Sequence, residues 1–441
     1  MAEKRPANLK LSRFNIFSKL KDSDNYFIIN LLSGNADFLS PKQAKEIIEN
    51  KISNPDEFYE KGYLSEEKVD NKLFKIRYLD FLKQQEQDEI QLFFVPRYSC
   101  NFTCSYCYQT PYQQPHSPLK KEVVDAFYSF IDSEFEDRRK YITIFGGEPL
   151  INNNEAKKEI EWILDGASQR NLDVAVVTNG YYLTQYIDIL KKAPIREIQV
   201  TLDGTEDIHN KRRTLANNTP TFQQIVDGID AALKNNFPIN LRVVVDKENI
   251  GNLSDLAKFA IQKGWTKNPI FKTQMGRNYE LHTCQPNNEI LLSRLELYEK
   301  LYEIIKKSPH FLEFHKPAFS IARFIFENEE LPEPLFDACP GTKTEWAFDY
   351  TGTIYPCTAT VGKKDEEIGT FFPQISLNET KIEEWQDRDI TTIKDCQTCP
   401  VQLACGGGCA SVAKNKTGNM NNPDCRPIKE LLEMGLAFYF K

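Results

Sequence analysis

The sequence predicts an α/β protein built on a parallel sheet with helical crossovers, and three observations carry that reading. From residue 90 onward, apolar strand-like runs alternate with amphipathic helical stretches, the pattern of strands joined by helices. Ahead of it lies a shorter pattern of strands followed by helices. Behind it, seven of the eleven cysteines fall in the last 131 residues, where the alternation stops. The chain therefore divides into 1–89, 90–310 and 311–441.

Composition sets the frame. A chain of 441 residues, 41% hydrophobic and 27% charged, allows about two to four domains and belongs with globular proteins. The net charge of −8 comes from interspersed acids and bases, which disfavours a nucleic-acid partner. No signal-peptide core and no uncharged stretch of bilayer length is present, so no membrane role and a cytoplasmic location are expected. In a reducing compartment, short-spaced cysteines bind metal or act catalytically more often than they form disulfides. Ten of the eleven are so spaced; Cys284 stands apart.

The N-terminal elements come first. Apolar runs at 26–32 and 36–39 flank Ser33-Gly34-Asn35, which has hairpin turn chemistry. Ser40-Pro41 reads as an N-cap and first-turn proline opening a helix over 42–49. A second helix follows from Ser65, with Glu66 and Glu67 at its positive end and Val69, Leu73, Ile76, Leu79 and Leu82 as its apolar stripe.

In the middle segment, strands are expected at 91–96, 141–145, 173–177, 197–202, 239–245 and 270–274. Helices are expected at 119–135, 155–170, 184–192, 222–235, 253–263 and 288–307. Unusual residues follow the strands. The first runs into Cys100-Asn-Phe-Thr-Cys104-Ser-Tyr-Cys107, the second into Gly146-Gly147-Glu148-Pro149, the third into Thr178-Asn179-Gly180, and the fourth into Thr201-Leu202-Asp203-Gly204 with His209 and Arg213 beyond. Each glycine-containing strand end taken alone is an ordinary turn. His209 reads as a structural hydrogen-bonding group.

Iron–sulfur clusters are normally held by four cysteine thiolates, so a loop supplying three leaves one iron without a protein ligand. Zinc is the rival occupant, but it prefers a closed set of four. The CxxxCxxC spacing of Cys100, Cys104 and Cys107, with Tyr106 before the last cysteine, resembles the signature of the radical S-adenosylmethionine (radical SAM) enzymes. The resemblance implies a partial (β/α)6 barrel and a 4Fe-4S cluster on those cysteines, with S-adenosyl-L-methionine on the open iron. It assigns Gly146, Gly147 and Glu148 to the methionyl amine. Thr178, Thr201 and Arg213 take its carboxylate or ribose, and Tyr106 and Asn179 join them as cofactor contacts. In barrels of parallel strands such residues gather at the C-terminal strand ends.

The C-terminal spacing resembles the SPASM extension of radical SAM peptide-modifying enzymes: Cys339, Gly352 and Cys357, then Cys396-xx-Cys399-xxxxx-Cys405-Gly-Gly-Gly-Cys409, and Cys425. Carried over, Cys396, Cys399, Cys405 and Cys425 hold one auxiliary 4Fe-4S cluster and Cys339, Cys357 and Cys409 the other, making three clusters in all. The second set is one cysteine short. It is either open, completed by Cys284, or completed by another group. Two zinc knuckles are the structural alternative. From the residues themselves, 345–350 and 353–355 form a hairpin returning Cys357 towards Cys339, and the glycines at 406–408 let backbone N–H groups approach a cluster.

The N-terminal strands and helices resemble the winged-helix-like module that binds leader peptides by strand addition; a simple cap is the alternative. Together these resemblances imply a peptide maturase. Hydrogen abstraction from a ribosomally made peptide by a 5′-deoxyadenosyl radical leads to an intramolecular cross-link, a Cys thioether foremost. Carbon–carbon or carbon–oxygen linkage, small-molecule dehydrogenation and non-catalytic electron transfer are the alternatives. Sulfatase maturation is a further one, but Thr358 stands where those enzymes carry an aspartate. The implied partners are a precursor peptide bound through its leader and a flavodoxin or ferredoxin reductant.

Overall fold

Strands β1 (Asn15–Lys19), β2 (Tyr26–Asn30) and β3 (Asn35–Leu39) form an antiparallel sheet in that order, with Gly34 at φ +76° in the expected turn. The computed structural model describes residues 9–109, 117–278 and 288–440. Strand β1 is not legible in the sequence: Asn-Ile-Phe-Ser-Lys is too short and too polar to announce itself, and pairing with β2 recruits it. Helix α1 (Pro41–Ile48) is closed by a capping box between Ser40 and Gln43.

Helix α2 (Glu67–Gln87) corrects the expected stripe. Val69, Ile76 and Leu79 are exposed, Leu79 by 65%, whereas Leu73, Phe74, Tyr78 and Phe81 pack on the core. Phe74, Tyr78 and Phe81 place their rings 5.0, 5.3 and 5.5 Å from that of Phe336. The larger area of three aromatic side chains outweighs the aliphatic stripe and rotates the helix about its axis.

The central sheet contains six parallel strands, each within a few residues of its expected position. They are β4 (Ile90–Val95), β5 (Lys140–Ile144), β6 (Val174–Thr178), β7 (Ile195–Thr201), β8 (Ile239–Val245) and β9 (Phe271–Arg277). Crossovers include α3 (Lys121–Glu134), α4 (Asn154–Gln169), α5 (Ile187–Leu190), α6 (Glu206–Arg212), α7 (Phe222–Lys234), α8 (Leu253–Gln262) and α9 (Arg294–Lys307). Helix α4 shows why they pack: Ile160, Ile163, Leu164 and Ala167 recur at three- and four-residue spacing and are buried. The helix expected at 184–192 is a 3-10 turn followed by the four residues of α5, with Leu183, Tyr186, Ile187 and Leu190 as the buried positions. The helix expected from 288 begins at Arg294, where Ser293 and Glu296 form a capping box.

The sheet does not stop at β4. Strand β10 (Glu345–Asp349) pairs with it in parallel, and β11 (Thr353–Tyr355), β12 (Gly369–Thr370) and β13 (Ser376–Leu377) continue antiparallel. The order is β9-β8-β7-β6-β5-β4-β10-β11-β12-β13. The expected hairpin is present, with Gly352 at φ +92° in its turn. Its attachment to the central sheet has a geometric result. Strand β10 starts beside Gln91, at the opposite end of β4 from the Cys100 loop, and β11 brings the chain back to that end just before Cys357.

A buried ion pair locks the first strand end to its neighbouring helix. Arg97, 1% exposed, pairs with Glu159 of α4, whose other oxygen accepts from the Leu119 amide at 2.9 Å. Among the described residues no helix is long and apolar enough to cross a membrane.

Candidate functional site

The first cysteine loop is shaped by its own backbone and by the next strand end. The Phe102 amide donates to Cys100 Sγ at 3.4 Å and the Cys107 amide to the Cys104 carbonyl at 3.2 Å. From the second strand end, the Glu148 amide donates to the Ser99 carbonyl at 2.9 Å. The three thiols sense one another electrostatically. Burial pushes the Cys100 thiol up to about 12 and the Cys104 thiol up to about 11, the latter against the pull of Arg213. A metal cluster loading here must therefore displace protons.

Glu148 is not on the cavity wall. It is buried, accepting from the Thr178 hydroxyl at 2.6 Å and the Leu150 amide at 2.8 Å on one oxygen, and from the Asn179 amide at 2.6 Å on the other. Burial raises its pKa and the three donors oppose that rise. Its side chain braces the second strand end against the third, while Gly146, Gly147, Thr178, Asn179 and Thr201 line the cavity.

Arg213 is placed by two residues with different roles. Its Nη1 donates to the Tyr106 hydroxyl at 2.6 Å, and that hydroxyl donates on to Asp203. His209 is fully buried: its Nδ1 accepts from the Asp203 amide at 3.2 Å, and its Nε2 lies 3.2 Å from Thr221 Oγ1. An accepting Nδ1 places the ring proton on Nε2, so His209 donates to Thr221, whose hydroxyl donates to the Arg213 carbonyl at 2.7 Å. Burial, with Arg213 and Arg212 adding, lowers the His209 pKa and keeps the ring neutral. His209 is thus the structural residue the sequence suggested.

Whether this pocket fits a cluster and a zwitterionic amino-acid group is tested by its unsatisfied atoms. Asn101 Nδ2, Gln109 Nε2 and Arg213 Nε are buried side-chain donors without a partner among the described residues. Leaving a buried donor unpaired costs about 1–3 kcal/mol, and three of them around one thiol loop fit an acceptor-rich ligand such as a carboxylate. Arg213→Gln is expected to weaken binding of S-adenosylmethionine by the reconstituted protein about ten- to a hundredfold, the value of a charge-assisted hydrogen bond, measured by anaerobic equilibrium dialysis.

The C-terminal cysteines separate into two groups. Cys396 feels the charges of Cys405, Cys399 and Cys425, and burial raises its thiol to about 12. None of these four lines the cavity, and Cys425 is exposed. Cys357 feels Glu345, Cys339 and Cys409, and those three cysteines do line it. Cys284 lies outside the described residues. Among the described residues no group of three or more Cys, His, Asp or Glu side chains is drawn together closely enough to hold a single ion.

One cavity of about 880 Å³ joins the first cysteine loop to the inner C-terminal group. Its wall between them is the sheet's inner face, including Gln199, Asn240, Arg242 and the Glu197–Lys272 ion pair. The two ends sit towards opposite ends of β4.

Sequence reasoning missed Arg388. It is fully buried and donates to the carbonyls of Met420 at 2.5 Å, Gly408 at 3.1 Å, Gly407 at 3.1 Å and Asn422 at 3.2 Å. Gly406, Gly407 and Gly408 hold φ of +62°, +74° and +73°, a left-handed run that glycine alone tolerates cheaply. That run turns two carbonyls onto Arg388. No spacing signal marks an arginine whose hydrogen bonds all go to backbone carbonyls and whose ion-pair partner, Asp337 at 4.0 Å, lies 51 residues away.

Comparison with known proteins adds the following. Residues 95–260 match the model of the radical SAM superfamily. A GTP 3',8-cyclase of Nautilia profundicola is 23% identical over 313 residues, covering 66% of this chain and 91% of that protein. A GTP 3',8-cyclase of Campylobacter jejuni subsp. doylei is 31% identical over 167 residues, 37% of this chain and 50% of that protein. Among solved structures, native anSMEcpe with bound AdoMet superposes with TM-score 0.62 at 16% identity, covering 80% of this chain and 98% of that one. Streptococcus suis SuiB bound to precursor peptide SuiA gives 0.54 at 14% identity, covering 96% and 99%. At such identities the likeness to these two structures is one of fold.

Proposed function

We infer, from a chain that carries a radical SAM domain and is an enzyme of that superfamily, that its substrate is a ribosomally made peptide and its product an intramolecular cross-link, foremost a Cys thioether. The observation that carries this reading is the single cavity reaching from Cys100, Cys104 and Cys107 to Cys339, Cys357 and Cys409. A peptide side chain held there lies between both cysteine groups. When bound, a 4Fe-4S cluster with S-adenosylmethionine and the auxiliary clusters supply hydrogen abstraction and take up the electron that product formation releases.

The chain's own residues bind and orient. Arg213, fixed by Tyr106 and by the Thr221–His209 relay, offers its guanidinium to the methionyl carboxylate. Gly146 and Gly147 leave the strand end without side chains, which allows close backbone approach. The Glu197–Lys272 pair, Asn240 and Arg242 give the wall hydrogen-bonding groups suited to peptide amides.

The likeness to SuiB, which is bound to a precursor peptide in one solved structure, and to anSMEcpe, which is bound to AdoMet and a peptide in another, supports this substrate class. Strand β3 supports leader binding: it is an outer strand of its sheet, and its Phe38 is 49% exposed. A peptide adding a strand there gains main-chain hydrogen bonds. The reading includes three 4Fe-4S clusters on the ten cysteines named above, a flavodoxin or ferredoxin reductant and a cytoplasmic setting.

Anaerobic co-expression with a Cys-containing precursor peptide encoded beside the gene tests it. Mass spectrometry is expected to show loss of two hydrogens, with fragmentation suppressed between one Cys and a second residue. Suppression that spares every Cys indicates a carbon–carbon or carbon–oxygen link instead. An unchanged peptide in a preparation that still cleaves S-adenosylmethionine removes the peptide reading.

A further inference from the structure

The inner cysteine group has three thiols and, among its carboxylates, one that is treated differently from the rest. Asp337 pairs with Lys343, and Asp424 with Arg294. Glu345 lines the same cavity as Cys339, Cys357 and Cys409 and has no ion-pair partner among the described residues. Its Oε1 accepts from the Thr358 amide at 2.8 Å and the Thr358 hydroxyl at 3.1 Å, so the carboxylate is anchored to the residue that follows Cys357. Neither hydrogen bond uses Oε2.

An enclosed carboxylate without a counter-charge is costly, and such groups are ordinarily paired or coordinate metals. The neutral alternatives nearby are poorer ligands. Ser411 Oγ lies 3.6 Å and Thr360 Oγ1 4.0 Å from Cys357 Sγ, and each hydroxyl would have to lose its proton to act as an anion. Thr358 holds the carboxylate by one oxygen, which leaves the other for an iron.

We propose that Glu345 is the fourth protein ligand of the cluster held by Cys339, Cys357 and Cys409. This rests on the reading that those three cysteines bind a 4Fe-4S cluster. Three thiolates and one carboxylate make an asymmetric set in which the hard oxygen ligand suits the iron–sulfur core less well than sulfur. Glu345 is then the ligand that an entering peptide thiolate displaces: one Fe–O bond breaks, one Fe–S bond forms, and the thiol proton passes to the released carboxylate.

The test uses full-length, peptide-free protein in which Cys100, Cys104 and Cys107 are all replaced by Ala, so that the auxiliary clusters alone are observed. Iron content, Mössbauer spectra and the EPR of the reduced protein are compared for Glu345, Glu345→Ala and Glu345→Cys. Glu345→Ala is expected to lose roughly one of the four irons of that cluster, giving a three-iron signal after oxidation. Glu345→Cys is expected to restore four irons with an all-thiolate spectrum, which also shows that substitution at this position leaves the fold intact.

Spectra of Glu345→Ala identical to those of the parent overturn the proposal, as does loss of the unique iron on Cys284→Ala instead. If Cys339→Ala removes no iron at all, the three-cysteine reading fails, an outcome distinct from failure of the Glu345 assignment.

Discussion

Replacing Arg388 with leucine is expected to strip the C-terminal cysteine region of its iron while leaving the first cysteine loop able to bind S-adenosylmethionine. The buried guanidinium is the common donor to four carbonyls, on Gly407, Gly408, Met420 and Asn422. Leucine leaves the Gly408, Met420 and Asn422 carbonyls unsatisfied, at about 1–3 kcal/mol each when buried, while the Gly407 carbonyl keeps the Asp424 amide at 3.0 Å. A loss of that size rivals the 5–15 kcal/mol that holds a typical domain together. It falls locally, on the segment that positions Cys405 and Cys409 on one side and Cys425 on the other. Lysine is no rescue, because its compact ammonium cannot present donors in a planar fork to four separated oxygens. Iron stoichiometry and limited proteolysis check this. Wild-type iron content in both variants would show that the glycine run holds its shape unaided.

What the sequence disclosed follows from how local each signal is. The six parallel strands and the hairpin before Cys357 are written in runs of consecutive residues, and the structure reproduces them within a few positions. The division of the C-terminal thiols into two groups came from the resemblance and not from spacing, since Cys409 stands four residues after Cys405 yet lines the cavity with Cys339 and Cys357. Long-range partnerships were not legible. The apolar residues of α2 allow two faces, and only Phe336, more than 250 positions away, decides that Phe74, Tyr78 and Phe81 turn inward. The pairing of β10 with β4 has no sequence mark either, although it fixes where the inner cysteines sit relative to the first loop. Glu148 illustrates a subtler limit. Its position at a strand end pointed to ligand contact, yet its carboxylate is spent on Thr178, Asn179 and Leu150. Motifs identify a loop more reliably than they identify which of its atoms face the ligand.

That distinction predicts a large effect for Gly147→Ala. Gly147 does not hold a positive φ, so alanine is conformationally admissible and the whole effect is steric. An added Cβ would stand 2.2 Å from the Ser99 carbonyl oxygen and 2.7 Å from the carbonyl carbon of Tyr98. Both are backbone atoms of the segment leading into Cys100, so no side-chain rotation relieves the clash. The two loops must part by about an ångström, which breaks the Glu148 amide to Ser99 carbonyl bond and displaces Cys100. Misplacement on that scale costs on the order of a hundredfold in rate where reacting groups must be held in position. The variant is therefore expected to fold, to keep iron on its C-terminal cysteines, and to lose about a hundredfold in reductive cleavage of S-adenosylmethionine. Gly251→Ala is the matched control. Its Cβ would meet nothing within 4 Å and its φ is likewise not positive, so cleavage should be unchanged. Equal activity in the two variants would mean that the Cys100 loop is free to move away from the second strand end, and that close approach at Gly147 is not required.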